Sequence, residues 1–508
     1  MKKRSPSATR GHHGGGIKRR DFLRRALCAT GLAVAGGSIE GCLNGPEDTS
    51  GESGEDEDWK ADSAVAGKRP NIVFIVTDDQ AFDAIGYMGR YPFLDGRRSD
   101  GLVNMGALRR AGAVFSNAFV TQSLCSPSRA TMLTGMYAHT HGVIDNERND
   151  PDWQKHPNIG MLLRQNGYAT AFLGKLHGAI LAGEKGVRPG FDYWLGFKGQ
   201  GHYFNPELNE NGKESVVKGY ITDILTDKAL AWLKSGRDKT KPFLMCLWHK
   251  AAHQEFSPAP RHEHLWEGEK LPPPPHDTHL DTFEGKPKWH KDRASSYYKP
   301  DNKEWMNMLR TLKGVDESIG SVVQELKAQG LYENTVIVYT SDNGYLMSDH
   351  RMRDKRIAYE SSMRIPLIIS WPSEIKAGTQ ISQMALNIDL APTLLAMAGA
   401  PVPGHMQGRS LLPLLRGKAP ADWRTSFLFE YFQDWQYPKA GPNLVVARNQ
   451  RYKYVENDTP DDVNELYDLQ KDPGEMKNRI ADPQYGEVLK QMKQELARLK
   501  QRTGYPAG

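Results

Sequence analysis

The chain has 508 residues, of which 39% are hydrophobic and 25% charged, a composition typical of an ordinary globular protein with a large buried core. Length alone suits about three domains, although large α/β folds often form one unit of this size. The formal net charge is +5, but residues 1–42 hold nine Lys and Arg against two acidic residues, so the rest of the chain carries −2. The charge of the rest of the chain therefore gives no argument for a nucleic-acid partner.

Residues 1–42 have the features of an export signal. The segment Lys18-Arg19-Arg20-Asp21-Phe22-Leu23-Arg24 resembles a twin-arginine motif, and an apolar run follows it over residues 26–37. That run is too short for a transmembrane helix, and no transmembrane span is predicted elsewhere. A disordered basic arm is the alternative, which the apolar run disfavours. The prediction is therefore a periplasmic or extracellular protein, with the twin-arginine translocon as a partner and folding before transport.

The end of this signal leaves two outcomes open. Ser38-Ile39-Glu40-Gly41-Cys42 matches a lipoprotein cleavage box except at Glu40, so a lipid anchor at Cys42 and cleavage without an anchor are both retained. Residues 43–68 are rich in Gly, Ser, Asp and Glu, which predicts a flexible linker. Beyond them only Cys125 and Cys246 remain, so no disulfide framework is expected.

The first predicted strand covers residues 71–77, a continuous run of β-branched and aromatic residues typical of a strand buried on both faces of a parallel sheet. It ends in Asp78-Asp79. Open α/β sheets bind ligands at the carboxyl ends of their strands. The two acids are therefore candidate ligands, with a solvated turn as the alternative.

Residues 124–135 predict a short helix with an anion site at its start. Ser126 is interpreted as the N-cap, Pro127 as the first helical residue and Gly135 as the stop. Cys125 would then lie at the mouth of the helix, where backbone N–H groups favour negative charge, and Arg129 would project towards the same anion. A cysteine in such a place is a reactive site, whereas the alternative is a buried structural cysteine.

Two further strands are predicted over residues 167–178 and 242–248, each with polar residues at its end. On the first, Lys175 and His177 alternate and should face the same side. The second runs into His249-Lys250 and then His253. These residues would lie at the same edge of the sheet as the first acidic pair.

The segment 257–303 contains four consecutive prolines and several histidines, which predicts a long surface excursion. A helix follows from Trp305 to Gly330, and a fourth buried strand covers residues 335–341 and ends in Asp342-Asn343. Two strands thus finish in hard oxygen ligands. Four such side chains suit Ca²⁺ or Mg²⁺ better than zinc, which prefers His and Cys.

The pattern changes beyond about residue 416. Short strands separated by turn residues are predicted over residues 427–431, 444–448, 452–456 and 465–469, followed by an amphipathic helix from Tyr485 to Arg502. They predict a small antiparallel sheet closed by one helix. The expected organisation is a catalytic domain over residues 69–415 and a C-terminal subdomain over residues 416–508.

The helix segment also carries a specific motif. Cys125, Pro127, Ser128, Arg129, Leu133, Thr134 and Gly135 stand in the spacing Cys-x-Pro-Ser-Arg-x-x-x-Leu-Thr-Gly, which resembles the signature of the sulfatase family within the alkaline-phosphatase-like superfamily. The resemblance extends from residue 69 to about residue 502. It implies a sulfuric ester hydrolase with an α/β fold: a large mixed, mostly parallel sheet sandwiched by helices, with a smaller C-terminal α+β subdomain that contains an antiparallel sheet.

The resemblance implies a modified nucleophile. In this family a maturase oxidises the signature cysteine, here Cys125, to Cα-formylglycine, whose hydrated aldehyde attacks sulfur. Arg129, Lys175 and Lys355 would neutralise the sulfate oxygens. The motif around Lys175 departs mildly from the family's usual form, since Leu176 stands where tryptophan is common.

Two histidines would then move protons. His253, or with less support Lys355, would protonate the leaving alcohol. His177 would take a proton from the second hydroxyl of the hydrate, so that sulfate is expelled and the aldehyde restored. The role is assigned to His253 although Ala252 precedes it in place of the family's usual proline.

The resemblance favours Ca²⁺ over Mg²⁺ at a site formed by Asp78, Asp79, Cys125, Asp342 and Asn343. The segments 188–194 and 199–206 resemble the branch that contains N-acetylglucosamine-6-sulfatases and related glycan sulfatases, which implies a sulfated carbohydrate as substrate. Further substrate contacts are expected from four side chains: Gln200, His202, His249 and His350.

Two alternatives stay open. A phosphonate monoester or phosphodiester hydrolase can use the same formylglycine motif and a similar metal site. A non-catalytic glycan-binding relative is the second, and the presence of the whole set of acidic and basic site residues argues against it.

Overall fold

The computed structural model describes residues 69–147, 150–177, 187–273, 282–296 and 301–506. The predicted export signal and linker, residues 1–68, lie outside the described residues. Within the described ranges no helix is both long and apolar enough to cross a membrane.

The strands follow one another along the whole described chain. In order they are β1 Asn71–Thr77, β2 Ala113–Phe115, β3 Ala118–Phe119, β4 Ala169–His177, β5 Tyr193–Lys198, β6 Glu207–Glu210, β7 Lys213–Val216, β8 Phe243–Trp248, β9 Thr335–Ser341, β10 Leu346–Met347, β11 Arg353–Asp354, β12 Leu367–Ser370, β13 Thr379–Ile381, β14 Ala385–Leu386, β15 Ser426–Tyr431, β16 Leu444–Asn449, β17 Tyr452–Asn457 and β18 Glu465–Asp468.

The α-helices lie mostly between these strands. They are α1 Val103–Ala111, α2 Cys125–Thr134, α3 Ala138–His141, α4 Ile159–Gln165, α5 Ile221–Ala231, α6 Lys288–Ser295, α7 Asn302–Ala328, α8 Glu360–Met363, α9 Leu390–Met397, α10 Leu412–Leu415 and α11 Gly486–Thr503.

A ten-stranded sheet forms the centre, in the order β13-β2-β12-β9-β1-β8-β4-β5-β6-β7. Its middle strands, from β9 to β5, are parallel to one another, whereas β12 and the β6–β7 hairpin run antiparallel to their neighbours. Strands β1, β8 and β9 match the predicted strands closely. The predicted large mixed, mostly parallel sheet is therefore confirmed.

Both faces of the sheet are covered because successive side chains of a strand point to opposite sides. On β1, Phe74 and Val76 belong to one hydrophobic core and Val73 and Ile75 to the other. The first core receives apolar residues from α2, α4 and α9, and the second from α1, α5 and α7. This arrangement confirms the predicted sandwich of helices around the sheet.

Strands β15 to β18 form a separate antiparallel sheet, and α11 packs on it through Met492, Leu496 and Leu499. The predicted C-terminal sheet and closing helix are confirmed. Its residues share a continuous hydrophobic core with one face of the central sheet, and the domain boundary at residue 415 stays a prediction.

One prediction needs correction in the proline-rich segment. The region predicted as a surface excursion contains helix α6, which buries His290 and Ala294. Because these are the only buried positions of α6, the segment carries no apolar repeat from which a helix could be predicted. Residues 274–281 and 297–300 of the same region lie outside the described residues.

Candidate active site

The polar residues that follow three neighbouring strands meet at one edge of the sheet. Val76 is in register with Trp248 on β8, and Thr77 with Ser341 on β9. The residues after each strand therefore emerge side by side. Asp79 adopts a positive φ of 61°, a conformation uncommon for an L-residue, and its N–H donates to Asp342 Oδ1 at 3.1 Å.

Three carboxylates form the centre of this edge. Asp78, Asp79 and Asp342 are buried, and each offers an oxygen within 4.8 Å of the others. Asn343 Nδ2 donates to Asp79 Oδ1 at 2.7 Å, while Asn343 Oδ1 is buried and has no hydrogen-bond partner among the described residues. A buried oxygen without a donor beside three carboxylates fits a hard divalent cation.

Burial acts against the ionised form of all three carboxylates. Burial raises the pKa of Asp79 to about 6 and also raises the pKa of Asp342. Burial opposes ionisation of Asp78 too, but the positive charge of Lys175 and its neighbours lowers the pKa of Asp78 well below its usual range. A bound divalent cation would favour the ionised form of all three.

Three cations already touch the carboxylates. Lys175 forms an ion pair with Asp78, and Lys355 with Asp79. Arg129 Nε lies 2.9 Å from Asp342 Oδ2. Its guanidinium stacks on the Trp248 ring, 5.4 Å from the ring centroid. Arg129 Nη2 is buried without a hydrogen-bond partner in the described structure, so this arginine retains a donor for a ligand anion.

Cys125 lies in the first turn of α2, next to both a carboxylate and a lysine. Its Sγ is 3.5 Å from Asp78 Oδ1 and 3.0 Å from Lys355 Nζ. Burial raises the pKa of the Cys125 thiol to about 12, so the unmodified side chain is a neutral thiol at neutral pH rather than a reactive thiolate. Asp78, Cys125 and His253 form a second close group of potential ligand atoms.

The predicted cap of this helix is wrong by two residues. The N-cap is Leu124, and Cys125 is the first helical residue. Ser126 is therefore inside the helix and does not cap it. Its backbone N–H donates to Asn146 Oδ1 at 3.0 Å. Leu124 is apolar, so no local capping signal marks the start, whereas Gly135 ends the helix with a left-handed φ of 68° as predicted.

The end of β4 brings two more predicted residues to the centre. Gly174 is required there, because an added Cβ would lie 1.8 Å from the Trp248 carbonyl oxygen. Lys175 Nζ donates to Gln200 Oε1 at 2.6 Å, and Gln200 Nε2 lies 3.5 Å from His177 Nε2. The regular alternation of side chains along β4 does not continue to its end. The pairing register with β5 shifts between Gly174 and His177, and His177 has a positive φ of 82°.

His177 is buried among these charges. Burial lowers the pKa of His177 well below its usual range, and the positive charge of Lys175 lowers it further. The ring is therefore neutral and retains a nitrogen that can accept a proton.

A cavity of about 360 Å³ opens beside the centre. His253 lies between the two, with Nε2 3.6 Å from Asp79 Oδ2 and the side chain 14% exposed. Burial lowers the pKa of this histidine well below its usual range. The cavity is lined by Gln200, Lys250, His253, Gln254, Glu255, Phe256 and Glu304.

Several of these lining residues were not among the predicted site residues. Lys250 Nζ donates to the Gln200 carbonyl oxygen at 3.1 Å and lies 4.8 Å from the Tyr203 ring centroid. Burial lowers the pKa of Lys250 to about 8. Lys250 could have been predicted as a site residue, because it follows the end of the buried strand β8. Glu304 arrives from the start of α7, and nothing local in the sequence marks it.

The four tentative substrate contacts occupy different environments. Gln200 lies in the centre, and His202 is exposed on the connection between β5 and β6. His249 is fully buried, and neither ring nitrogen has a hydrogen-bond partner among the described residues. His350 is buried and stacks on the Tyr359 ring, with centroids 4.1 Å apart, near the C-terminal sheet.

The fold and the buried acidic centre together define a hydrolase of alkaline-phosphatase-like architecture. Residues 70–400 match the family described as Sulfatase, and residues 348–502 match the family described as N-sulphoglucosamine sulphohydrolase, C-terminal. The chain belongs to the sulfatase family and is a sulfuric ester hydrolase. The predicted family and enzyme class are thereby confirmed.

Two relatives that are more than 30% identical to this chain act on sulfated glucosamines. The chain is 34% identical over 501 residues to an N-acetylglucosamine-6-O-sulfatase of Bacteroides thetaiotaomicron, covering 84% of this chain and 85% of the relative. A solved structure described as a complex with its substrate D-glucosamine-2-N,6-O-disulfate has 31% identity and a TM-score of 0.78, covering 86% of this chain and 98% of the other.

A third likeness concerns the fold alone. The phosphonate monoester hydrolase of Agrobacterium radiobacter superimposes with a TM-score of 0.69 at 22% identity, covering 86% of this chain and 97% of the other.

Proposed function

We propose that this protein is an exported sulfatase that hydrolyses a sulfate monoester on a glucosamine residue of a sulfated glycan. The observation that carries the proposal is the position of Cys125: its Sγ contacts Lys355 Nζ and Asp78 Oδ1 at the edge of the three-carboxylate group. A side chain in that place can reach an anion held by the surrounding cations.

Two groups would complete the site. Asp78, Asp79, Asp342 and Asn343 would hold a divalent cation, Ca²⁺ in preference to Mg²⁺, because carboxylate and amide oxygens without many waters suit the larger ion. Such a cation supplies positive charge that stabilises the anionic transition state. Cα-formylglycine, made from Cys125 by a maturase, supplies the hydrated aldehyde that acts as nucleophile.

The chain's own cations would bind the sulfate oxygens. Arg129 Nη2 is buried, lies 3.8 Å from Asp78 Oδ1 and has no hydrogen-bond partner among the described residues, and Lys175 and Lys355 lie against the carboxylates at the same edge. Positive charge fixed in a site shielded from water stabilises developing negative charge without reorganisation. The three side chains are therefore proposed to hold the sulfuryl group during attack.

His253 is proposed as the acid that protonates the leaving alcohol, with Lys355 as the second candidate. His253 lines the cavity where a sugar would lie, whereas the Lys355 side chain is only 2% exposed. Since burial disfavours the charged ring, the negative charge of the bound sulfate ester would have to favour protonation of His253. His177, neutral and beside Gln200, is proposed to accept the proton that accompanies sulfate release.

The proposed substrate class is supported by the relatives and by the cavity. One relative is named as an N-acetylglucosamine-6-O-sulfatase, and the other was solved with a disulfated glucosamine as its substrate. A cavity of about 360 Å³ lies within the usual range for small-molecule sites, and Lys250 places a cation on its wall. Gln200 connects that wall to Lys175.

Export is proposed from the twin-arginine-like segment, with a lipid anchor at Cys42 as an open variant. The proposed partners are the translocon, a formylglycine-generating maturase and the sulfated carbohydrate. No nucleic acid partner is proposed.

Sulfate release from defined monosulfated saccharides tests the function. Glucosamine 6-sulfate and N-acetylglucosamine 6-sulfate should be turned over faster than the 3-sulfated and N-sulfated isomers. A phosphonate monoester or phosphodiester hydrolase, supported here only by likeness of fold, would instead prefer an aryl phosphonate or phosphodiester over an aryl sulfate at equal concentration.

A further inference from the structure

A second cavity, of about 390 Å³, opens where α8 meets the C-terminal sheet. Glu360 and Arg364, from α8 and the residue after it, form one wall. Arg448, on β16, and Arg451, in the β16–β17 turn, also line the cavity. None of the residues proposed above for catalysis or for the first cavity lines this one.

The Arg364 guanidinium forms no ion pair within the described residues. Within the described ranges no carboxylate oxygen lies within 4.0 Å of its guanidinium nitrogens; Nη2 donates to the Ser116 carbonyl oxygen at 2.8 Å, and the guanidinium stacks 4.2 Å from the Phe82 ring centroid. Burial lowers the pKa of Arg364, and the negative charge of Glu360 opposes this shift without reversing it.

The carboxylates nearby are already shared among other cations. Glu360 receives Arg448 at 3.1 Å and Lys453 at 3.0 Å, and Lys453 also pairs with Glu475 at 2.6 Å. Arg451 pairs with Asp468 at 2.9 Å. The cavity lining itself contains three arginines, Arg364, Arg448 and Arg451, and one carboxylate, Glu360, so positive charge is in excess there.

The arrangement suits one kind of ligand. A guanidinium presents a planar fork of donors that matches the two oxygens of a carboxylate or a sulfate. Phe82 and Phe119 stack under Arg364 and Arg448, which fixes both guanidinium planes towards a limited set of directions. The cavity is large enough for a sugar residue bearing such a group.

We propose that this cavity, here called the arginine cavity, is an accessory site that binds a carboxylate or sulfate group of an anionic glycan outside the catalytic centre. The inference rests on the proposed function for its ligand, because an enzyme that acts on sulfated glycans meets chains bearing many such groups. Its role would be to hold the glycan, not to take part in sulfate ester cleavage.

Isothermal titration calorimetry on the full-length protein tests the site directly. The probe is a hexasaccharide of alternating uronate and N-sulfated glucosamine that lacks 6-sulfate. We expect Arg364→Met to weaken its binding at least about tenfold, the scale expected for one charge-assisted contact. Arg409→Met is the matched control, because that arginine also stacks on an aromatic ring, 4.8 Å from the Trp423 centroid, but does not line the arginine cavity.

A second variant protects the test against misfolding. Arg451 is 40% exposed, and the Tyr485 hydroxyl still donates to its partner Asp468 in the variant, so Arg451→Met should fold and weaken binding of the same probe by a smaller factor. Equal binding of the probe by wild type, Arg364→Met and Arg451→Met would overturn the proposal, as would an absence of binding to the wild type.

Turnover of glucosamine 6-sulfate separates this inference from the function itself. A monosaccharide cannot occupy the catalytic centre and the arginine cavity at once. Arg364→Met should therefore release sulfate from glucosamine 6-sulfate within about twofold of the wild-type rate. If the wild type released no sulfate, the proposed function would fail while the calorimetric result for the arginine cavity would stand. A large loss of monosaccharide turnover in folded Arg364→Met would overturn the accessory role.

Discussion

Two buried clusters of charge can be compared within this molecule. The catalytic cluster contains Asp78, Asp79 and Asp342 with their lysine and arginine partners at the sheet edge. The boundary cluster joins the chain after β11 to the C-terminal sheet, through Lys286, Tyr359, Lys453, Glu465, Tyr467 and Glu475. Both are buried, and both contain several ionisable groups.

The clusters differ in how their polar atoms are satisfied. In the boundary cluster Lys453 contacts Glu475, Glu360 and the Ala358 carbonyl oxygen, and Glu465 accepts from two tyrosine hydroxyls. In the catalytic cluster Asn343 Oδ1 and Arg129 Nη2 have no hydrogen-bond partner among the described residues. Buried polar atoms with hydrogen-bond partners are typical of a structural role, whereas buried polar atoms without them indicate a place for a ligand.

The largest expected effect is on catalysis alone. Cys125→Ala should lower kcat by at least about 10³-fold, since it removes the proposed nucleophile and such a loss typically has an effect of that size or greater. The fold should be retained, because the change removes one buried sulfur. Sulfate release and the circular dichroism spectrum measure the two outcomes.

Cys246→Ala is the matched control for that variant. This cysteine is equally buried on β8 but lies in the hydrophobic core. It should lower the free energy of unfolding by about 1 kcal/mol and leave kcat unchanged. Comparable losses of activity in both cysteine variants would remove the distinction between catalytic and structural positions.

Metal dependence should also separate the clusters. Ca²⁺ at about 100 times its Kd should stabilise the wild type by about 2.7 kcal/mol, as expected for a ligand that binds the folded state. Asp342→Asn should abolish this gain, because it removes one negative ligand from the site. Thermal unfolding with and without chelator measures it.

Asp316→Asn supplies the comparison for the metal test. Asp316 is a buried carboxylate that accepts from the backbone N–H groups of Asn104 and Met105, each at 2.8 Å. It should lower stability but keep the Ca²⁺-dependent gain. A Ca²⁺ response that survives in Asp342→Asn would place the cation elsewhere.

The boundary cluster should respond in stability rather than chemistry. Lys453→Met leaves Glu360 and Glu475 without their shared cation and should lower the free energy of unfolding by about 3–5 kcal/mol. The folded fraction should retain kcat within about tenfold. Urea unfolding and active-site-normalised turnover give the two values; loss of kcat without loss of stability would make this cluster part of the active site.

The smallest effect is expected at the cavity wall. Lys250→Met should raise KM for a sulfated glucosamine about tenfold with little change in kcat, because it removes a cation that binds ground state and transition state alike. His264→Ala, on a histidine whose side chain is 81% exposed and does not line this cavity, should change neither parameter by more than about twofold. Steady-state kinetics on both variants test the ranking.

The sequence predicted the strands and their ends well, because residues 71–77 and 335–341 are apolar runs that end abruptly in acids. That pattern is local, and adjacent parallel strands bring the ends together. The start of α2 could not be predicted in the same way, since Leu124 offers no capping side chain. Glu304 and Arg364 reach their cavities through tertiary packing alone, so no spacing in the sequence marks them.

The environments of the histidines show the same limit. His253 lies at the acidic centre as expected from its strand end, whereas His249, four residues earlier, is enclosed without a hydrogen-bond partner among the described residues. Both follow the same strand, and only the path of the chain after β8 decides which one reaches the cavity.

Mass spectrometry of the Cys125 peptide from purified, active protein tests the central claim most directly. The proposed mechanism predicts an aldehyde in place of the thiol at residue 125, in proportion to the sulfatase activity of the preparation. A preparation with full activity and an unmodified thiol at Cys125 would contradict it.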